Sequence, residues 1–306
     1  MSAPSGHPPH SVAAAFAVAC LGIALYAVMD AVMKGLVLAM GAYLALFWRL
    51  LAGVVIVFPL YLLSRPALPS RATLRVHFAR SAVVAVMAMA FFWGIARVPL
   101  GEAIAVSFIA PLIALALAAL FLGERVATRS ILGSLLGLAG VGVIVAGRLG
   151  GSHDGQAVLG MGAVLLSAVF YAVNLVMARH QAQIAGPMEI AAFQYLFILL
   201  IFCLPAPFLL TLPPPGHWPA LVGAALLAFA SLWLLSWAYA RAEAQVLLTV
   251  EYTAFIWASL MGWWVFAEPL TLPAVAGALL IVAGCLLAIR KQPGSGAAPE
   301  AEAVLT

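Results

Sequence analysis

The chain has 306 residues, of which 66% are hydrophobic and 8% are charged, and its formal net charge is +4. A soluble domain is about half apolar and about one quarter charged, so this composition excludes an ordinary soluble protein and indicates an integral membrane protein. A transmembrane β-barrel would need alternating polar and apolar residues, which the continuous apolar runs of this chain do not show.

Proline, glycine and charged residues divide the chain into ten apolar runs. Each run has about 17 to 25 residues, the length that an α-helix needs to cross a bilayer. The sequence therefore predicts an all-α integral membrane protein with ten transmembrane helices. The predicted helices cover residues 12–36, 43–63, 76–96, 103–122, 131–147, 157–178, 189–210, 218–239, 245–266 and 273–289.

The two ends of the chain lie outside these helices. Residues 1–11 are polar and lack the positive segment of a cleavable signal peptide, so we expect a short tail before a retained first helix. Residues 292–306 are rich in proline, glycine, alanine and glutamate, and they are predicted to be disordered.

Basic residues are distributed unequally between the two sides of the predicted helices. Of the 14 Lys and Arg residues, only Lys34, Arg49, Arg97 and Arg148 lie toward the side that does not hold the termini. Because basic residues concentrate on the cytoplasmic side of a membrane protein, this distribution predicts that both termini are cytoplasmic.

The chain repeats itself at an offset of 144 residues. The matching pairs include Trp93 and Trp237, Arg97 and Arg241, Glu124 and Glu268, Gly133 and Gly277, and Gly140 and Gly284. Residues 12–148 and 157–291 are therefore predicted to be two copies of a five-helix unit. Because five is odd, the second copy must enter the membrane from the opposite side. Secondary transporters often contain such inverted repeats and bind substrate between them, near the bilayer midplane.

Related segments begin at the ends of the fourth and ninth predicted helices: FLGERVATRSILGSLLGLAGV (121–141) and VFAEPLTLPAVAGALLIVAGC (265–285). With the Trp48-Arg49 pair and the five-plus-five repeat, they resemble the drug/metabolite transporter superfamily, specifically its EamA-type members. The resemblance implies a multi-pass carrier of the bacterial inner membrane, often an exporter, with a central cavity between the repeats. Members of this family handle amino acids, purines, sugars, polyamines and S-adenosylmethionine. The halves also differ, since Ala267 stands where the first half has Gly123.

Three charged residues lie within the first two predicted helices. Asp30 and Lys34 are one helical turn apart, in the favourable order for an ion pair. They either neutralise each other, or Asp30 faces the cavity, where it contacts a substrate amine or carries a coupling proton. Arg49 either pairs with Asp30 or offers its guanidinium to a substrate carboxylate.

Glu251 lies in the cytoplasmic half of the ninth predicted helix, and its repeat counterpart is Ser107. A charge near the centre of a span costs at least about 2.5 kcal/mol, so such residues usually face a cavity or a partner. A carboxylate buried without a partner favours its protonated form, so Glu251 is a candidate for proton coupling. The alternative is a structural carboxylate bonded to Asn174 or to a backbone group.

The remaining candidates are aromatic and polar residues of the predicted cavity wall. They are Tyr26, Trp93, Ser107, Tyr171, Asn174, Trp237 and Tyr252. The rings either stack on a flat or cationic ligand or pack as ordinary core residues.

Two further features lie near the helix ends. Glu124 and Glu268 are equivalent acids, for which helix capping or an ion pair with Arg125 or Arg129 is the alternative to a gating role. Gly133 and Gly137 form a motif that lets helices approach closely, and it is at most a candidate face for a homodimer.

All six histidines are expected in termini, loops or helix ends, which disfavours a histidine relay or a metal site within the membrane. The chain has no phosphate-binding loop and no nucleophile motif, so we expect no cofactor, no nucleic-acid partner and no enzymatic activity. The prediction is a secondary transporter for an amino acid or a related amine- or ring-containing metabolite, with export coupled to protons. The alternatives are a passive uniporter and an intramembrane enzyme acting on lipid-linked substrates.

Overall fold

The computed structural model describes residues 12–64, 69–110, 112–113, 128–149, 155–239 and 253–289. Regular structure in these ranges is entirely helical. The two predicted tails, Glu124, Glu251 and Tyr252 lie outside the described residues. The ten main helices of the described ranges are α1 (Val12–Met40), α2 (Ala42–Leu63), α3 (Arg71–Ile95), α4 (Leu100–Ser107), α5 (Thr128–Leu149), α6 (Gly155–Ile184), α7 (Pro187–Cys203), α8 (Trp218–Tyr239), α9 (Thr253–Phe266) and α10 (Leu272–Ile289).

Each of these helices lies at one of the predicted apolar runs. Five described segments are long and apolar enough to cross a membrane: Phe16–Met40, Ala42–Leu63, Arg71–Ile95, Gly155–Ala178 and Pro215–Leu235. Four further apolar helices of the described ranges are shorter. The all-helical, multi-pass membrane character is therefore confirmed, whereas the number of ten spans stays a prediction.

Local chemistry explains where several helices begin and end. Gly41 has φ of 85°, a left-handed conformation that separates α1 from α2 without steric cost. Ser70 caps α3 by accepting a hydrogen bond from the backbone N–H of Thr73 at 3.1 Å. Because of this cap, α3 starts five residues before the predicted position. The prediction followed the apolar residues alone and therefore left out Arg71 and Arg75.

The main helix contacts join the first half of the chain to the second. α1 packs on α8, α3 on α6, α2 on α7, α4 on α9, and α5 on α10. In the two-fold repeat, α1 corresponds to α6 and α8 corresponds to α3, so the α1–α8 and α3–α6 contacts are equivalent. Each of the other three pairs joins a helix to its own repeat counterpart. The two halves therefore interlock and do not form separate domains. We call the end of the bundle at which α1 and α3 finish the upper end, and the opposite end the lower end.

Glycines bring the backbones of α5 and α10 into direct contact. A Cβ added to Gly140 would lie 2.6 Å from the carbonyl oxygen of Gly277, and one added to Gly284 would lie 2.5 Å from that of Gly133. The offset of 144 residues relates Gly133 to Gly277 and Gly140 to Gly284, so the two contacts are equivalent. The small-residue face proposed for dimerisation is therefore used inside the chain.

Gly140→Ala should lower the midpoint of thermal unfolding in detergent, because the added Cβ must push two helix backbones apart. Overpacking of this kind costs about 1 to 3 kcal/mol. Gly142→Ala in the same helix is the matched control, since nothing lies within 4 Å of its Cβ position. We expect the control to be unchanged or slightly more stable, because alanine favours a helix over glycine. Equal midpoints for the two variants would contradict a tight α5–α10 contact.

Candidate functional site

A buried ion pair joins the first helix to the second half of the chain at the upper end. Lys34 of α1 is only 4% exposed. Its Nζ bonds to Oε1 of Glu268 and donates to the carbonyl oxygen of Val98 at 2.7 Å. The other carboxylate oxygen of Glu268 accepts the backbone N–H of Leu100 at 2.8 Å. The pair thus ties together α1, the turn before α4 and the segment after α9.

The turn after α9 is shaped to place the Glu268 carboxylate. Ala267 has φ of 52°, the one positive φ at a non-glycine residue in the described ranges. This conformation costs an L-residue about 1 to 2 kcal/mol, and the repeat counterpart in the sequence is glycine, Gly123. A Cβ at Gly262 would lie 2.5 Å from Oε2 of Glu268, so this glycine leaves space for the carboxylate.

The structure gives Lys34 a partner that the sequence did not predict. Lys34 bonds to Glu268, and the salt bridges of the described residues do not include Lys34 with Asp30; Arg125 and the side chain of Arg129 lie outside what the structure describes. An acid and a base one turn apart gain only about 0.2 to 0.5 kcal/mol, which is too little to hold Lys34 when a carboxylate and a backbone carbonyl lie nearby. The prediction that Glu268 lies close to a helix end is confirmed, since α9 ends at Phe266.

A second group of charged and phenolic residues lies deeper in the bundle. We call it the central cluster: Tyr26 and Asp30 on α1, Arg49 on α2, Arg80 on α3 and Tyr195 on α7. Nη1 of Arg49 lies 4.0 Å from the sulfur of Met29, the residue before Asp30, and the Tyr195 ring packs on α2 one helical turn after Arg49. Three of the five, Tyr26, Asp30 and Arg49, were predicted from the sequence.

Arg49 is the most buried charge of the central cluster. It is 9% exposed, and its Nε is buried without a hydrogen-bond partner. Its guanidinium carbon lies 5.7 Å from the centre of the Phe92 ring, in a cation–π contact. Nη1 of Arg49 lies 4.0 Å from the sulfur of Met29, the residue before Asp30, and the salt bridges of the described residues do not include Asp30 and Arg49.

Tyr195 is placed by a glycine on the facing helix. A Cβ at Gly53 of α2 would lie 2.5 Å from Cδ1 of the Tyr195 ring. The ring on α7 therefore occupies the space that any larger residue at position 53 would need. Because α2 and α7 belong to different halves, this contact lies between the two halves.

Arg80 was missed by the sequence predictions. Its Nε donates to Oδ1 of Asn174 at 2.8 Å, and its Nη1 donates to Oε1 of Gln181. The cap at Ser70 is the signal that could have found it, because that cap places Arg80 about two and a half turns inside α3. Asn174, which was predicted as part of the cavity wall, is thus joined to the central cluster.

A hydrogen-bonded chain continues from Arg80 toward the lower end. Gln181 bonds to Nδ1 of His77, and Nε2 of His77 lies 3.0 Å from Oε1 of Glu189. His77 is only 1% exposed, so its predicted place at a helix end is wrong. The earlier start of α3 explains the error, since it moves His77 from the first turn into the buried part of the helix.

The other predicted site residues lie elsewhere or outside the described parts of the chain. Trp93 lines an open cleft of about 690 Å³ at the upper end, with the guanidinium of Arg97 stacked 3.4 Å from its ring centre. The Ser107 hydroxyl donates to the carbonyl oxygen of Ala103 at 2.8 Å, within its own helix. Tyr171 lies on α6, three residues before Asn174, which bonds to Arg80. The side chain of Trp237 is not among those described.

Comparison with known proteins shows the family. A model of the EamA-like transporter family matches residues 13–146 and, a second time, residues 158–290. The chain belongs to the EamA-like transporter family. It is therefore a membrane transporter and not an enzyme, as the sequence predicted.

Several relatives of the EamA-like chain are named as transporters. It is 26% identical over 273 residues to the pseudopaline exporter CntI of Pseudomonas aeruginosa, which covers 88% of this chain and 93% of the relative. It is 24% identical over 257 residues to a riboflavin transporter of Brucella anthropi, covering 81% of this chain and 88% of that protein. A solved crystal structure shares the fold with a TM-score of 0.60 at 22% identity, covering 91% of this chain and 97% of the other.

Glu268→Gln should destabilise this EamA-like protein by about 3 kcal/mol, because it takes the carboxylate away from a buried ammonium group. The double variant Lys34→Met/Glu268→Gln should recover much of that loss, since the buried charge is then also removed. Thermal unfolding of the wild type, both single variants and the double variant in detergent gives the coupling energy. Additive effects of the two substitutions would show that the pair contributes nothing.

Proposed function

We propose that the protein is a secondary transporter that moves an amino-acid-like metabolite across the bacterial inner membrane by alternating access. The proposal includes ten spans in two inverted five-helix repeats, residues 12–148 and 157–291, with both termini cytoplasmic. The interlocking helix pairs and the double match to the family model support this organisation.

The observation that carries the proposal is the pair of opposite charges in the central cluster. Asp30 and Arg49 lie on adjacent helices, Nη1 of Arg49 lies 4.0 Å from the sulfur of Met29 next to Asp30, and the buried Nε of Arg49 has no hydrogen-bond partner. A free amino acid carries an ammonium group and a carboxylate a few atoms apart. Asp30 would bind the ammonium group and Arg49 the carboxylate, through charge-assisted hydrogen bonds.

The position of the cluster suits alternating access. Tyr26, Asp30, Arg49 and Arg80 come from the first half, whereas Tyr195 comes from the second half. A substrate held between the halves is exposed to one side or the other when the halves rock against each other. Tyr26, Tyr195 and Tyr171 would provide ring surfaces for the apolar part of the substrate.

The proposed direction is export, coupled to protons. The relative named as a pseudopaline exporter supports this direction. Glu251 and Asp30 are the proposed proton-binding groups, since carboxylates within spans commonly belong to proton relays. A passive uniporter would instead equilibrate its substrate and show exchange without any gradient.

Asp30→Asn should weaken the binding of amino acids about 10- to 100-fold, because a hydrogen bond to a charged group is worth about 1.5 to 3 kcal/mol. Ligands from a stabilisation screen would first be identified by their effect on thermal unfolding. Titration of the variant with such a ligand, and with its analogue lacking the amine, then tests the contact. Asp30→Glu keeps the charge and should retain part of the affinity. Equal losses for the amine and its amine-free analogue would contradict the assignment.

Glu251→Gln should uncouple transport from a pH gradient, because glutamine cannot take up or release the proton. The measurement is flux into sealed proteoliposomes at several imposed gradients. In the wild type the gradient should drive accumulation, whereas the variant should only equilibrate the substrate. A variant whose flux keeps the wild-type pH dependence would rule out the coupling role of Glu251.

A further inference from the structure

His77 lies where four helices meet at the lower end. It is in the second turn of α3, and its neighbours are Gln181 near the end of α6, Glu189 in the first turn of α7 and Phe193 one turn further along α7. The Phe193 ring stacks on the imidazole with 5.3 Å between ring centres, and it also contacts the Tyr61 ring of α2 at 5.6 Å. The buried imidazole therefore lies at a contact between the two halves of the chain.

Arg80 fixes the orientation of the Gln181 side-chain amide. A guanidinium has only N–H donors, so the amide atom that faces Nη1 of Arg80 must be the oxygen, as the structure shows. The amide nitrogen of Gln181 then points at Nδ1 of His77. Because an amide nitrogen can only donate, Nδ1 of His77 must accept.

This accepting nitrogen sets the protonation state of His77. A neutral imidazole has one donor and one acceptor nitrogen, whereas an imidazolium has two donors. The ring is therefore neutral, with its hydrogen on Nε2, and it donates to Oε1 of Glu189 at 3.0 Å. The Glu189 side chain is 19% exposed, so the buried ring is one hydrogen bond away from the solution at the lower end.

A proton on Nδ1 of His77 is incompatible with this order. The new N–H would face the N–H group of Gln181, donor against donor. Rotating the amide by half a turn would only place the same group against Arg80. The bond that is lost joins α3 to α6, whereas the bond to Glu189 of α7 is kept and becomes an ion pair. Protonation thus changes the helix to which His77 is bound.

The other charged and titratable groups around His77 leave this role to the imidazole. Among the described side chains they are Glu189 of α7, Tyr61 of α2 and Arg80 of α3 itself. His180, the residue before Gln181 on α6, lies in a separate pocket with Arg75. Histidine is the residue type whose ordinary charge change falls between pH 5 and 8, so an imidazole can respond to physiological changes of pH.

We propose that His77 is a proton-binding site that links α3 to α6 through Gln181 when the ring is neutral, and to α7 through Glu189 when the ring is charged. The α3–α6 contact is one of the main contacts between the halves. A proton taken up from the solution at the lower end would therefore loosen the halves there. That this loosening belongs to alternating access rests on the proposed function, whereas the exchange of partners does not.

Nitrogen NMR of the purified full-length protein, with isotope-labelled histidine, shows which ring nitrogen carries the hydrogen. The His77 signal is the one that disappears in His77→Gln. At about pH 8 we expect the Nε2–H form, and at about pH 5 the charged ring. A hydrogen on Nδ1 at the higher pH, or a ring whose state does not change over this range, would overturn the inference.

Distances between spin labels measure the loosening of α3 from α6. The labels replace Arg71 and Ile184, which are exposed at the lower end, after the natural cysteines have been changed to alanine. Between about pH 8 and about pH 5 the ratio of long to short distances should rise about tenfold, the effect of one buried donor left unpaired. His77→Gln should remove this response, because glutamine does not titrate. His180→Gln is the matched control and should keep it; a response that survives in His77→Gln would assign the effect to another group.

Gln181→Glu tests the direction of the hydrogen bonds. A carboxylate accepts from both sides, so it keeps the bond to Arg80 and requires a donor on Nδ1 of His77. The charged ring then satisfies the contact, and the α3–α6 distance should stay short at about pH 5. A variant that loosens on acidification as the wild type does would contradict the proposed order of donors and acceptors.

The outcomes separate this inference from the proposed function. The NMR and distance measurements use neither a substrate nor a pH gradient. In proteoliposomes, His77→Gln should still accumulate substrate in a gradient, because coupling is assigned to Glu251 and Asp30. Accumulation by a wild type whose helix distance does not respond to pH would remove the His77 site alone. A distance that responds to pH in a protein that moves no substrate would support the site and count against the transport mechanism.

Discussion

The cost of charge in a hydrocarbon environment is the constraint on which the rest of this structure depends. Three cations inside the described part of the bundle are held by different sets of partners. Lys34 has a carboxylate and a backbone carbonyl, Arg80 has two amide oxygens, and Arg49 has an aromatic face and the sulfur of Met29. Of these three, only Lys34 forms a salt bridge among the described residues. This difference separates a structural ion pair from groups that have binding capacity left for a ligand.

The same constraint explains why the two halves must fold together. Lys34 belongs to the first half and Glu268 to the second, and Arg80 likewise bonds to Asn174 and Gln181 across the halves. Neither half alone would satisfy its own buried charges. The glycine contacts between α5 and α10 add close apolar packing across the same boundary. The fold is thus a single interlocked unit, although the sequence consists of two copies.

Much of the fold could be predicted from the sequence, because helix length and apolar runs follow directly from the thickness of a bilayer. Helix starts were less accurate, since the Ser70 cap outweighed the charges of Arg71 and Arg75. That error hid Arg80 and misplaced His77. The partner of Lys34 could not be predicted, because Glu268 is distant in sequence and only tertiary packing brings the two together. Asp30 and Arg49 could be singled out as candidates in the sequence because an ionisable residue within an apolar run is conspicuous.

The Tyr195 ring over Gly53 has a mechanical consequence. The ring fills the space that a side chain at position 53 would occupy. Because of this packing, α2 and α7 cannot slide past each other by a helical turn while the ring stays in place. Any such displacement, about 5.4 Å, requires the Tyr195 side chain to change its rotamer and leave this space. The same ring packs on α2 one helical turn after Arg49 of the central cluster. Relative movement of the halves would therefore reshape the wall of the central cluster through a single side chain.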